Sequence, residues 1–347
     1  MKNEDVMLLS IIIPAFNIDN YISDCLNSFI GERYSNLEVI VVNDGSIDNT
    51  GITADKYVSN YEHIHIIHQP NLGVSEARNI GLLNSTGEYI WFVDGDDIVQ
   101  NVSAILEVCE KCLNDETDLI LFKLKEFQSE ENIEINLLET VPIKSLIFRD
   151  NFRKMLINNE MSYFVFDKII KKSIMINGGV YFPNDYNISE DFIWNCNVLP
   201  LIKNYCVLNE VFYIHRINRV YSATYELTDS KVYTILRAIY ENIESIEGTY
   251  KLSDQDRISF FLYISRVWFY ILPETYSYSR SLFLKTESDF IRIYSIFGKY
   301  KLPLDELNRG ANLLKTFIKL VGLKFGLRFY ATAIALKRKK LTLSKYK

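Results

Sequence analysis

Asp94, Asp96 and Asp97 stand almost side by side, directly after the apolar run Tyr89–Val93. Carboxylates this close repel one another unless a positive charge sits among them. A hard divalent cation meets that need, because Mg2+ and Mn2+ prefer carboxylate oxygen, and Mg2+ sites commonly pair one or two carboxylates with substrate phosphates. A solvated Asp-Gly turn meets it as well, by leaving the acids in water. On these residues alone both readings stay open. A second acidic pair, Glu190-Asp191, opens a helical pattern far downstream; a helix start favoured by the macrodipole is its plain structural role.

The elements that must position these acids alternate in type. Leu8–Ile13, Val39–Val42, His63–His68 and Tyr89–Val93 read as strands, each short and mostly apolar. Tyr21–Phe29, Thr50–Tyr57 and Val74–Leu83 carry helical apolar spacing between them. Alternation of this kind predicts an α/β fold, a mostly parallel sheet flanked by helices on both faces, because strands buried on two sides are apolar throughout. Ligands bind such sheets beyond the carboxyl ends of the strands. Three polar loops should therefore open on one edge: Pro14-Ala15-Phe16-Asn17, Asn43-Asp44-Gly45-Ser46 and Asp94-Gly95-Asp96-Asp97. A helix over Val102–Leu113 and a strand over Leu119–Leu124 extend this part. Residues 126–140 read as a polar excursion, Ile143–Asn159 as helical, and residues 228–300 as mostly helical. Two domains follow from this division, residues 1–225 and a helical C-terminal region, residues 226–347.

With 347 residues, 48% of them hydrophobic and 14% aromatic, the chain has ample material for a buried core and is not a disordered protein. Its five cysteines lack the density of a disulfide framework, and Cys109 and Cys112 lie in an apolar-periodic stretch that reads as a buried helix face. A reducing cytoplasm fits, and no N-terminal signal peptide is expected. The net charge of −6 conceals an asymmetry: from Arg309 onward there are eleven Lys and Arg and no acid. Such a basic tail suggests an anionic partner, and nucleic acid is not the expected one. Lysines interrupt the tail too often for a membrane span. Peripheral docking on anionic lipid is the expectation for residues 309–347, at the inner face of the cell membrane, with a packed helix or a homodimer contact as the alternative.

In order, the motifs resemble glycosyltransferase family 2, enzymes of the GT-A (Rossmann-like) fold that use nucleotide sugars. Ser10-Ile11-Ile12-Ile13-Pro14-Ala15-Phe16-Asn17 resembles the opening strand and loop. Glu38 to Ser46 resembles the second strand ending in Asp-Gly-Ser, and Asn71-Leu72-Gly73 with Ala77-Arg78-Asn79 and Gly81 the connector. Asp94-Gly95-Asp96-Asp97 matches the Asp-x-Asp metal motif. The resemblance covers roughly residues 8–125 strongly and weakens through Asp167-Lys168 and Glu190-Asp191.

The resemblance implies a role for each position. Pro14, Phe16, Asn17, Asp44, Arg78, Asp94 and Gly95 would bind the nucleotide sugar, with Phe16 stacked on the base, Asp44 accepting from uracil, and Arg78 facing the phosphates. Asp94 and Asp96 would hold Mn2+ or Mg2+, with Asp97 a further acid of uncertain role. Asp191 would be the general base of an inverting transfer, its pKa raised by Glu190. His215 would complete the metal site or serve structurally, and Arg216 or Arg219, ahead of Ser222-Ala223-Thr224, would contact diphosphate. Lys168 reads as an acceptor or structural contact. Trp194 and the Tyr-rich segment 249–299 would line an acceptor groove or fill the core.

The implied reaction moves one sugar from a nucleotide sugar to a glycan or lipid-linked saccharide acceptor. A polymerase is disfavoured, since the Gln-x-x-Arg-Trp motif of processive members and their membrane spans are missing. A dinucleotide-binding dehydrogenase lacks its glycine-rich turn here, and a P-loop enzyme its Gly-x-x-x-x-Gly-Lys. A non-catalytic scaffold that kept the fold remains the alternative.

Overall fold

The structure is a computed structural model; it describes residues 7–30, 34–128, 146–149, 152–157, 161–217, 227–248, 252–300, 302, 314, 318 and 322–337. Strands β1 (Leu9–Ala15), β2 (Leu37–Asp44), β3 (Ile64–Gln69) and β4 (Tyr89–Phe92) alternate with helices α1 (Ile22–Asn27), α2 (Thr50–Val58) and α3 (Val74–Asn84). The four strands lie parallel in the order β3-β2-β1-β4. All eight residues of β2 are buried. Val39 and Val41 pack with Ile22, Leu26 and Ala54 from α1 and α2, while Ile40 and Val42 pack with Ala77 from α3. The period of two thus sends alternate side chains to opposite helical layers, which is why the centre of the strand, Val39–Val42, is apolar on both faces. Each such Val or Ile contributes about 1.5–3 kcal/mol by leaving water.

Beyond β4 the sheet changes character. Strand β5 (Ile98–Val99) and helix α4 (Val102–Asn114) lead into β6 (Leu119–Gln128), and β7 (Leu146–Arg149) and α5 (Phe152–Ile157) follow. Strand β8 (Lys168–Lys171), helices α6 (Lys172–Gly178) and α7 (Glu190–Val198), and strand β9 (Tyr205–Ile217) complete it. Strand β8 runs antiparallel to both β4 and β6, and β5 and β7 run antiparallel to β9. The parallel character is therefore concentrated in the first four strands and the β6–β9 pair.

Two local expectations are corrected. The helical reading of Ile143–Asn159 gives way to a strand, Leu146–Arg149, and a short helix, Phe152–Ile157. Strand β9 offers its backbone at Tyr205–Leu208, and pairing with it overrides the local spacing. Residues 126–128, expected in a polar excursion, continue β6 along β9; residues 129–140 lie outside the described residues. Cys109 and Cys112 are buried on α4 as free thiols.

By contact the chain divides into two units, residues 1–152 with 161–225, and residues 153–160 with 226–347. In the second, α8 (Asp229–Gly248), α9 (Asp254–Tyr278) and α10 (Arg280–Lys299) pack on one another, with Trp268 against Tyr294, Phe290 and Phe297. Helix α9 opens with a capping box between Ser253 and Asp256. Residues 322–337 form a further helix. No described helix is long and apolar enough to cross a membrane.

Candidate active site

The three polar loops do open on one edge of the sheet, at the carboxyl ends of β1, β2 and β4. The first two are tied together: the Asn17 amide donates to Ser46 Oγ at 3.1 Å, and the Ile47 amide to Asn17 Oδ1 at 2.9 Å. Asn17 sits in the left-handed region to do this, with φ 51°. The Asx turn after β2 belongs to Asn43, whose Oδ1 accepts from the Ser46 amide at 3.2 Å. Asp44 is therefore available for another task. Its Oδ1 accepts from Gln69 Nε2 at 2.7 Å and the Leu72 amide at 2.8 Å, and its Oδ2 from the Gly73 amide at 2.9 Å. One buried carboxylate thus holds the whole connector ahead of α3.

Between this connector and the β1 loop lies a cavity of about 460 Å³, lined by Pro14, Phe16, Asp44, Leu72, Ser75 and Tyr186 among others. Phe16 is exposed at 44%, so it is not the core aromatic that its type alone would suggest. Gly95 is placed differently from the expectation. A Cβ there would meet Ile18 Cδ1 at 2.5 Å and the Pro14 carbonyl at 3.2 Å, so its close approach is to the β1 loop.

Arg78 is the electrostatic centre of the site. It lies on α3 with only 4% of its side chain exposed, and its guanidinium rests over the Phe182 ring at 5.1 Å. Nη1 donates to Asp191 Oδ1 at 2.6 Å and to Glu190 Oε1 at 3.2 Å, and Nη2 to Asp94 Oδ1 at 3.0 Å. The resemblance implies an arginine facing phosphates; the structure makes it the shared cation of three carboxylates from two distant segments. Burial opposes the charge on Arg78, but Asp191, Asp94 and Glu190 together hold its pKa above the ordinary value.

Glu190 and Asp191 form the first turn of α7, whose N-cap Ser189 makes no side-chain cap. Asp191 Oδ2 also accepts from the Val165 amide at 3.2 Å. Burial raises the Asp191 pKa from 3.8 to about 7, against the lowering effect of Arg78, with Glu190 and Asp94 adding to the rise. Glu190 therefore acts as expected, but desolvation is the larger cause.

The acids after β4 differ from one another. Asp97 is buried; its Oδ2 accepts from the Tyr213 hydroxyl at 2.6 Å and its Oδ1 from the Arg216 amide at 2.7 Å. Burial and the nearby Asp96 and Asp94 push its pKa well up. Tyr213 also accepts from the Asp94 amide at 3.1 Å, so one hydroxyl links both ends of the loop. Arg216 donates through Nε to the Asp96 carbonyl at 2.8 Å and through Nη2 to Asp24 at 3.1 Å, its guanidinium lying near the Tyr21 and Phe127 rings. That anchoring takes the place of the expected diphosphate contact. Asp97 and Arg216 thus build the loop rather than line it.

Among the described residues no three His, Cys, Asp or Glu side chains converge as a ready-made metal cage. His215 instead lies 5.6 Å from the Phe164 ring and 4.9 Å from the Phe166 ring, with Nδ1 unpartnered. Asp94 and Asp96 remain, both partly exposed oxygen donors on one turn. That donor set fits a hard cation of the kind that completes its shell from diphosphate and water.

Lys168 is buried and donates to Asp167 Oδ1 at 2.6 Å and to the Phe164 carbonyl, a structural pair. Trp194 is fully buried and stacks on Phe182 at 5.2 Å, so it is core. Arg219 and Ser222-Ala223-Thr224 lie outside the described residues. Tyr213 and Phe182 are site residues that the sequence did not flag. Period two on β9 puts Tyr213 on the face of His215 and could have found it; nothing local marks Phe182.

The sheet, its ligand edge and the acidic loop define a GT-A-type domain. The profile of glycosyl transferase family 2 matches residues 10–179. The chain is 28% identical over 219 residues to EpsJ of Bacillus subtilis, an uncharacterized glycosyltransferase, covering 61% of this chain and 62% of that protein. It is 45% identical over 91 residues to YibD of Escherichia coli, another uncharacterized glycosyltransferase, covering 26% of each. The chain spans less than two thirds of the length of these relatives. Its fold matches residues 1–349 of S. aureus TarS with a TM-score of 0.67 at 17% identity, over 95% of this chain and 92% of that one. TarS has also been solved in complex with UDP-GlcNAc and with UDP.

Proposed function

We propose that the protein transfers a single sugar from a nucleotide sugar, a UDP-sugar, to a hydroxyl of a cell-surface glycan precursor, with inversion at the sugar carbon. The observation that carries this reading is the meeting of Asp191 with Asp94 through Arg78 at the ligand edge of the sheet. A base of raised pKa stands on one side of the guanidinium and the diphosphate-side acid on the other. The nucleotide's diphosphate would lie by Asp94 and Asp96, with its base towards Phe16 and Asp44 in the cavity.

Asp191 takes the proton from the acceptor hydroxyl as that oxygen bonds to the anomeric carbon. The carbon's bond to the diphosphate oxygen breaks, and its electron pair leaves with the nucleoside diphosphate. With a pKa of about 7, Asp191 combines substantial ionisation near neutrality with enough basicity to accept that proton. Asp94 and Asp96 would hold Mn2+ or Mg2+, which supplies Lewis-acid neutralisation of the leaving diphosphate. Arg78 keeps Asp191 oriented and offsets the charge it carries once ionised. The acceptor is a glycan or lipid-linked saccharide, reached by peripheral contact with the inner face of the cell membrane.

The test is a calorimetric panel of UDP-, GDP- and CDP-sugars with and without Mn2+. UDP-sugar binding that strengthens with Mn2+ and weakens in Asp96→Ala is the expected result. Absence of any nucleotide binding would return the protein to the scaffold reading. Asp191→Asn should bind donor normally and abolish transfer; retained transfer removes it as the base.

A further inference from the structure

Residues 162–166 precede β8 and pass beside the start of α7. The Val165 amide donates to Asp191 Oδ2 at 3.2 Å, so Phe164 stands one peptide unit from the proposed base. The backbone of Phe164 is fastened at both of its polar groups. Its amide donates to Ser162 Oγ at 3.0 Å, and its carbonyl accepts from Lys168 Nζ and from Asn195 Nδ2, the latter at 3.4 Å. Asn195 Nδ2 also donates to the Tyr163 carbonyl at 2.8 Å, and both Lys168 and Asn195 are buried. Phe164 is thereby tied to β8 and to α7, the helix that carries Asp191.

The side chain is held as firmly as the backbone. Buried Phe166 stacks on buried Tyr213, with ring centroids 4.5 Å apart and planes 5° apart. Phe164 continues that stack towards the surface, 4.7 Å from Phe166 at 14°. The His215 ring stands beside it at 5.6 Å, tilted by 52°. Phe164 is nevertheless 39% exposed, whereas the two rings beneath it are not. A lone exposed phenyl ring is ordinary on a protein surface. This one differs in its place: it ends a rigid stack beside a carboxylate of raised pKa, so a ligand meeting it finds a flat surface that needs no ordering.

We propose that Phe164 is the platform on which the acceptor lies, and that the group it takes is a pyranose ring. The hydroxyl that Asp191 deprotonates must come within hydrogen-bond reach of its carboxylate. A pyranose carries hydroxyls around its rim and C–H groups on its faces. Stacking one face on Phe164 removes those C–H groups from water and turns the rim towards Asp191. An open-chain polyol has the hydroxyls without the flat apolar face, and an acyl chain has apolar surface with nothing to deprotonate. The inference rests on the reading of a transferase with Asp191 as base, and it names the acceptor chemistry of that same site.

The test follows UDP release by the full chain from UDP-glucose, UDP-galactose and UDP-GlcNAc in the presence of Mn2+. Methyl pyranosides of glucose, galactose and N-acetylglucosamine serve as acceptors, with ribitol and glycerol as the polyol controls. At least one pyranoside should accelerate release, and the polyols should not. For that pyranoside Phe164→Ala should raise KM by about tenfold or more, with the calorimetric affinity for the UDP-sugar still that of the parent. Phe164→Tyr should keep the low KM. Phe164→Leu, which keeps apolar volume without the flat ring, should not. The proposal is overturned if a polyol accelerates release as well as the pyranosides do, if no pyranoside does, or if the alanine and leucine variants keep the parent's KM. Loss of donor affinity in both variants overturns it too, as the mark of a structural role. A UDP-sugar that binds without any acceleration by pyranosides defeats the acceptor proposal alone, whereas failure of every UDP-sugar to bind defeats the transferase reading with it.

Discussion

Arg78 carries more of this site than its family position suggests, because three carboxylates depend on one buried guanidinium. Removing one partner of a buried ionic cluster leaves uncompensated charge, typically at about 3–5 kcal/mol. Arg78→Gln should therefore lower unfolding free energy by about that amount in urea titrations, and Arg78→Lys by less, since a lysine keeps the charge but not the fork. A loss below about 1 kcal/mol would mean that water already screens the cluster. Asp191 adds a pH dependence of known sign. Its folded-state pKa is raised from 3.8 to about 7, so between those values the folded protein keeps a proton that the unfolded chain has released. Its contribution to stability is full below 3.8 and is lost as pH rises towards 7. In metal-free protein, Asp191→Asn should flatten that part of the stability profile; an unchanged slope would assign it to other groups. Transfer should show the opposite trend, with kcat/KM rising through an acidic limb near pH 7 as the base ionises.

At the scale of elements, the connector ahead of α3 exists because β2 ends in Asp44 beneath it, and because Gly45 lets the chain turn away. Gly45 has φ +70°, and a Cβ there would stand 2.6 Å from the Asn71 amide nitrogen. Gly45→Ala should destabilise the protein by about 1–2 kcal/mol from the left-handed backbone alone. The displaced connector should weaken UDP binding as well; calorimetry with unchanged affinity would show that the cavity does not depend on it. Much of this layer is visible in sequence, because β1, β2 and β4 are built on apolar runs that end in polar loops, whereas β3 carries His65 and His68 among its isoleucines. Leu146–Arg149 is not, since a four-residue strand is defined by its partner β9 rather than by its own pattern. The same limit applies to the acids. That Asp94, Asp96 and Asp97 cluster is plain from spacing, but the division of labour is not. Asp97 is committed to the loop by Tyr213 and Arg216, more than a hundred residues away in the chain.

For the whole molecule, the two units are interleaved in sequence, and a simple boundary at residue 225 misses this. Residues 153–160 belong to the second unit although the first resumes after them. Met155 and Leu156 are fully buried there, Arg153 Nε lies 2.9 Å from Asp256, and Arg266 Nη2 donates to the Leu156 carbonyl at 2.7 Å. A fragment ending at residue 225 keeps this strap but removes α9, which supplies Asp256 and Arg266. Two apolar side chains and a short helix then lose the surface that covers them, and exposed apolar area of this kind drives association. Residues 1–225 alone should scatter light as aggregates. The same fragment with Met155→Ser and Leu156→Ser should be more nearly monodisperse, because the strap no longer offers an apolar face. In the full chain the balance reverses, and Leu156→Ala should cost about 2–5 kcal/mol as a core cavity. A monodisperse parent fragment, together with a full chain indifferent to Leu156→Ala, would mean that the strap contributes little to either unit, and that residue 225 is a domain boundary in energy as well as in sequence.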